Sequence, residues 1–235
     1  LRGQIRGDEV RILTILYDQA TEGTMEPVVI AMSSAFTPFP NGPQAGPPPR
    51  KSVEYGTGIV VSEDGAIVTD RLVVDGCLSI VVAGFGNADR TAEDKHNDLA
   101  LLRIYGARGL KPLALKTGAA KTSVELTGIA DPQNQGGGAA VSGVKAQLGG
   151  DASLTPAPGL GFSGAAALDT DGTFAGMALL KPTVVAGPTI TAAAAQASMV
   201  SADTVREFLK ANGVSTASGA PDAKASVVRV ICVRK

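Results

Sequence analysis

The chain has 235 residues, of which 44% are hydrophobic and 18% charged, and its formal net charge is −1. That balance suits a globular protein able to bury a core. It excludes the basic stripe of a nucleic-acid binder, and no apolar run is long enough for a membrane span. Leu1 is not an initiator methionine, so a processed or trimmed chain is expected. Two cysteines, Cys77 and Cys232, leave open one disulfide tying the carboxyl tail to the body or two separate thiols. No Cys/His spacing suits zinc, and neither a metal nor another cofactor is expected.

Residues 9–17 and 27–33 are rich in β-branched side chains and predict strands. Residues 37–50, TPFPNGPQAGPPPR, cannot pair inside a sheet and predict a long loop between strands. Two apolar runs flank Glu63-Asp64-Gly65 within 55–70, which is the signal of a tight hairpin. Strands are then expected at 78–83, 99–105, 124–129, 139–148, 164–169 and 173–180, the last two joined by Asp169-Thr170-Asp171-Gly172. Short strands at this spacing predict an all-β sandwich or pair of barrels. Ser201 is placed to cap a helix that ends near Gly213, with Val205, Phe208 and Leu209 on its apolar face. Residues 214–225 form a Ser/Ala/Gly/Pro linker, and SVVRVICVRK alternates like a final strand expected to pair with an edge such as 9–17.

Gly161-Phe162-Ser163-Gly164 places a serine on a glycine-flanked turn leading into an apolar strand. In order along the chain stand Gly56-Thr57-Gly58 and its hairpin, Asp98-Leu99-Ala100-Leu101-Leu102, Ala130-Asp131-Pro132 with Val141-Ser142-Gly143-Val144, then the serine turn. Ser201-Ala202-Asp203-Thr204-Val205-Arg206 follows. This succession, from about Pro27 to Gly213, resembles the trypsin-like serine peptidases, and most closely the protease domain of the HtrA/Deg family. The resemblance implies two six-stranded antiparallel β-barrels, with a late α-helix and a C-terminal strand. It divides the chain into 1–108, the first barrel with an amino-terminal extension, 109–213, the second barrel with its closing helix, and 214–235, linker and terminal strand. Gly136–Gly138 and the residues after them lead into a β-branched strand, not into the lysine-bearing helix start that a phosphate loop requires.

By the same resemblance Ser163 is the nucleophile, Asp98 the triad aspartate, and the backbone N–H groups of Gly161 and Ser163 the oxyanion hole. The triad histidine falls in Val68-Thr69-Asp70-Arg71-Leu72-Val73-Val74, where Leu72 takes its place. Leucine accepts no proton, and the guanidinium of Arg71 does not deprotonate. Without a base, a serine hydroxyl is a poor nucleophile at neutral pH. His96, the single histidine, sits two residues before Asp98 in a charged run and reads as a solvent-facing side chain. Asp98 is expected to be partly wetted or paired with a donor such as Arg71, because a buried lone carboxylate is costly. Phe162 is larger than the residue usual at that turn and is expected to cover the pocket or pack against a neighbour.

The expected function is therefore that of a catalytically inactive peptidase homologue, acting as a scaffold or by binding a protein or peptide. The alternative is a weak serine hydrolase in which Ser163 uses an unconventional base; a stable spacer within a larger assembly is the third reading. No nucleic-acid or membrane partner is expected, and the family resemblance implies a periplasmic or secreted location. Trimers are common in that family, but 1–26 has no counterpart there, which leaves oligomeric state open. Replacing Leu72 with histidine is expected to awaken Ser163 if the architecture is preserved.

Overall fold

A computed structural model describes residues 2–39, 52–115, 122–132, 140–181, 196–215 and 222–234. Most of the proline-rich loop, part of the glycine-rich stretch at 136–143 and part of the 214–225 linker lie outside the described residues. The chain forms two units, Leu1–Arg50 and Lys51–Lys235.

In the first unit, β1 (Arg2–Arg6) and β2 (Glu9–Leu13) form an antiparallel hairpin, with Ile5 opposite Val10. The strand expected at 27–33 is instead the body of a helix, α1 (Glu22–Ala35). The three β-branched residues of 27–33, Val28, Val29 and Ile30, each cost a helix only tenths of a kcal/mol. Glu22, Met25, Glu26, Ala31 and Met32 are good helix formers, so β-branching alone misreads the segment. Arg11 donates to the carbonyl of Pro38 at 2.9 Å, and the guanidiniums of Arg6 and Arg11 lie over the Phe39 ring, 4.6 and 5.0 Å from its centre.

The second unit is built from two antiparallel six-stranded sheets. The first closes into a barrel from β3 (Ser52–Val60), β4 (Ala66–Asp70), β5 (Ser79–Val82), β6 (Gly86–Asp94), β7 (Leu99–Arg103) and β14 (Val227–Arg234), in the order β14-β3-β4-β7-β6-β5. The final strand thus does not pair with 9–17. It lies between β3 and β5, with Val230 opposite both Gly56 and Val82. Val227, Val228, Arg229 and Val230 are all buried: Val228 and Val230 lie in the filling of the first barrel and Val227 in the cluster that packs against the second. Cys232 in β14 is bonded to Cys77, with Cα atoms 5.4 Å apart, so the disulfide reading holds.

The second sheet runs β10 (Leu154–Thr155), β9 (Val141–Leu148), β8 (Ser123–Ile129), β11 (Ala166–Leu168), β12 (Phe174–Lys181), β13 (Gln196–Ser201). It curls until its two edges meet at a bridge between Ser153 and Ser198, which nearly closes a second barrel. Each barrel has an apolar filling, Val60, Ile67, Leu102 and Val230 in the first and Val124, Leu126, Ala178 and Met199 in the second. A third cluster joins them: Ile59, Val68 and Leu99 of the first barrel pack with Phe174, Met177 and Leu179 of the second. Helix α3 (Ala202–Ala211) adds Val205 and Leu209 to this seam and is capped by the Ser201 hydroxyl, which accepts the Thr204 N–H at 3.2 Å. A one-turn helix, α2 (Arg71–Val74), leaves β4 at the end that faces the second barrel.

Candidate active site

The glycine-flanked serine turn is shaped by backbone contacts before any side chain acts. The N–H of Ala165 donates to the carbonyl of Phe162 at 2.9 Å, and Gly161 and Gly164 hold φ at +95° and +88°. Those values lie in the region that L side chains rarely adopt. At Gly164 space is also closed: a Cβ there would land on the carbonyl oxygen of Thr57, with the Thr69 hydroxyl 2.8 Å away. The turn is wedged against the first barrel, and Thr57 is the wedge. Its N–H donates to the carbonyl of Ser163 and its hydroxyl to that of Gly161, both at 2.8 Å, while the same hydroxyl accepts the N–H of Ile129 at 3.0 Å. Phe162 does not cover a pocket: it is buried in the filling of the second barrel beside Leu126 and Ala165.

The Ser163 side chain turns toward the corner where β4 passes into α2. Its hydroxyl donates to Oδ2 of Asp70 and accepts the N–H of Leu180 at 3.1 Å. Asp70 is fully buried, and its Oδ1 accepts the Leu72 N–H at 2.8 Å, so one carboxyl caps α2 and receives the serine hydroxyl. Burial pushes this carboxyl up from 3.8 to about 6, the nearby charge of Asp98 adds to the rise, and the Ser163, Leu72 and Leu180 donors restrain it. Asp70 is the residue that sequence reasoning passed over. An aspartate directly before Arg71-Leu72-Val73-Val74 does fit a helix cap, but its serine partner lies 93 positions away.

Asp98 stands at the same corner with φ at +52°. Its carboxylate accepts two bonds from Arg71, at 2.8 Å from Nη2 and 3.1 Å from Nε, and its carbonyl accepts the Arg71 N–H at 2.9 Å. The pair gives Asp98 the donor it needs while part-buried, and it holds the Arg71 guanidinium above its ordinary value. Leu72 brings no polar side chain; its carbonyl accepts Nη2 of Arg234 at 2.7 Å. His96 lies exposed on the 95–98 turn, where its N–H donates to Asp94. Ser163, Asp70, Leu72, Arg71 and Asp98 thus meet at one junction of the barrels, and the groups bonded to the serine hydroxyl are a carboxyl and a backbone N–H. Among the described residues no cluster of His, Cys, Asp and Glu could hold a metal ion, and no helix is long and apolar enough to cross a membrane.

Two six-stranded antiparallel barrels, joined where a serine turn of the second abuts the β4–α2 corner of the first, have the architecture of the trypsin-like peptidases. Residues 56–177 match the family model of the trypsin-like peptidase domain, and the chain belongs to that family. It is also similar to the serine endoprotease from Yersinia pestis, with 21% identity and a TM-score of 0.49. That match covers 71% of this chain and 64% of the Yersinia protein, so the chain spans less than two thirds of that protein's length. No curated protein sequence matches the chain.

Proposed function

We propose that the chain is a trypsin-like peptidase homologue without a working triad, which acts by binding a protein or peptide or as a scaffold. One observation carries this reading: the Ser163 hydroxyl is spent on the buried Asp70 carboxyl and on the Leu180 N–H, at a site with no imidazole. Asp98, the residue suited to orient a histidine, is held instead by Arg71. With Leu72 in the histidine's place, the elements of base and orienter are both missing, and a loss of about a million-fold in turnover is expected. Gly161 and Ser163 would still offer oxyanion N–H groups, which bind a carbonyl without needing a nucleophile. The resemblance to the HtrA/Deg domain and a disulfide, a bond that persists in oxidising compartments, support a periplasmic or secreted location.

The Asp70 contact also favours a second reading, a weak hydrolase in which Asp70 takes the Ser163 proton as the hydroxyl attacks. A fluorophosphonate probe separates the two. The first reading predicts that the protein remains unlabelled after hours at pH 7.5. Stoichiometric labelling of Ser163 that vanishes in Asp70→Asn would establish the second.

A further inference from the structure

We propose that Asp70, at the junction of the two barrels, is a proton-operated clasp: taking up a proton removes a buried charge there and stabilises the fold as the medium becomes mildly acidic. Asp70 ends a strand of the first barrel and Ser163 sits on a turn of the second, so their bond crosses the junction. It belongs to a polar seam with Thr57 on Gly161 and Ile129, and with Arg229 of β14 on the carbonyl of Ala130 at 2.8 Å. This goes beyond the proposed function and stands whether or not Ser163 ever acts as a nucleophile.

Burial makes the ionised form of Asp70 the costly one, and the charges around it do not offset that cost. On the adjoining helix, Arg71 directs its guanidinium to Asp98 and, at 3.8 Å, to Asp75. Arg234 of β14 spends its own on Glu54 and the Leu72 carbonyl. Asp98, on the turn just before β7, raises the Asp70 carboxyl through space; β12 contributes the Leu180 N–H to the Ser163 hydroxyl, and the serine turn that neutral hydroxyl. A buried carboxylate with two hydrogen-bond donors, and with no cation paired to it among the described residues, favours the proton.

A carboxyl raised from 3.8 to about 6 binds its proton more tightly in the folded chain. Its contribution to stability is complete below pH 3.8 and is lost as pH rises through 6. Asp64, lowered chiefly by the Ser62 hydroxyl, and Asp94, lowered chiefly by Asn97, act at lower pH and do not mask this window.

Equilibrium urea unfolding of the whole oxidised chain, compared between pH 4.5 and 7.5, tests the clasp. The unfolding constant of the wild type is expected to rise roughly twentyfold from pH 4.5 to 7.5, and that rise to disappear in Asp70→Asn. Ser163→Ala removes a donor that favours the carboxylate, so its pH transition is expected to move upward, and this decides the matter should Asp70→Asn fail to fold. A flat wild-type profile, a slope kept in Asp70→Asn, or an unmoved transition in Ser163→Ala would each overturn the proposal. Because the readout is unfolding, a labelled serine with the slope intact would overturn the inactive-homologue reading alone. An unlabelled serine with no slope would overturn the clasp alone.

Discussion

Reduction of the Cys77–Cys232 bond is expected to lower the stability of the 51–235 unit by about 5 kcal/mol. The two cysteines are separated by 155 positions, so the bond removes a large loop-closure entropy from the unfolded chain. Few single features of a domain reach that size, since total stability is commonly about 5–15 kcal/mol. The folded state has its own reason to depend on the bond. β14 closes the first barrel by pairing with β3 on one side and β5 on the other. Losing it would leave two unpaired edges on the barrel that carries Asp70. Urea unfolding with and without reductant measures the effect, and a loss below about 1 kcal/mol would mean that barrel closure does not rely on the covalent tie.

The second large effect concerns the restoration of catalysis. Leu72→His alone is expected to leave Ser163 unlabelled by fluorophosphonates, contrary to what the sequence suggests. A new imidazole would meet a serine hydroxyl already donated to Asp70 and an aspartate already paired with Arg71. A base that is not oriented by its carboxylate, facing a hydroxyl turned elsewhere, recovers little. Combining Leu72→His with Asp70→Ala and Arg71→Ala frees both partners. The triple variant is expected to label at least about a thousandfold faster than Leu72→His, a fraction of the million-fold that a missing base costs. Equal labelling of the single and triple variants would show that Asp70 and Arg71 do not hold the site closed.

The difference between those two expectations marks what local sequence carries and what it does not. The Glu63-Asp64-Gly65 hairpin and the Ser201 cap are decided by neighbours a few residues apart, and both can be read directly. The strand β6 could not, because Gly86–Asp94 is polar along much of its length and is held by pairing with β5 and β7. The partners of β14 were also hidden, since its alternation announces a strand but not where the edge awaits it. At the site, the family resemblance singled out Ser163, Asp98 and Leu72 as expectations. The part played by Asp70 arises only when the barrels meet, because a carboxyl that looks like a surface helix cap becomes fully buried against a serine of the other barrel. Burial, which raises this carboxyl, is a property of tertiary packing and leaves no signature in the five residues around it.

The claim on which the rest depends is that the Ser163 hydroxyl is a bonded part of the barrel junction and not a nucleophile. The most direct measurement is the hydrolysis rate of an activated ester, such as p-nitrophenyl acetate, for the wild type and Ser163→Ala at pH 7.5. Indistinguishable rates, both near the uncatalysed background, are predicted; a wild-type rate that stands well above background and falls away in Ser163→Ala would contradict the account.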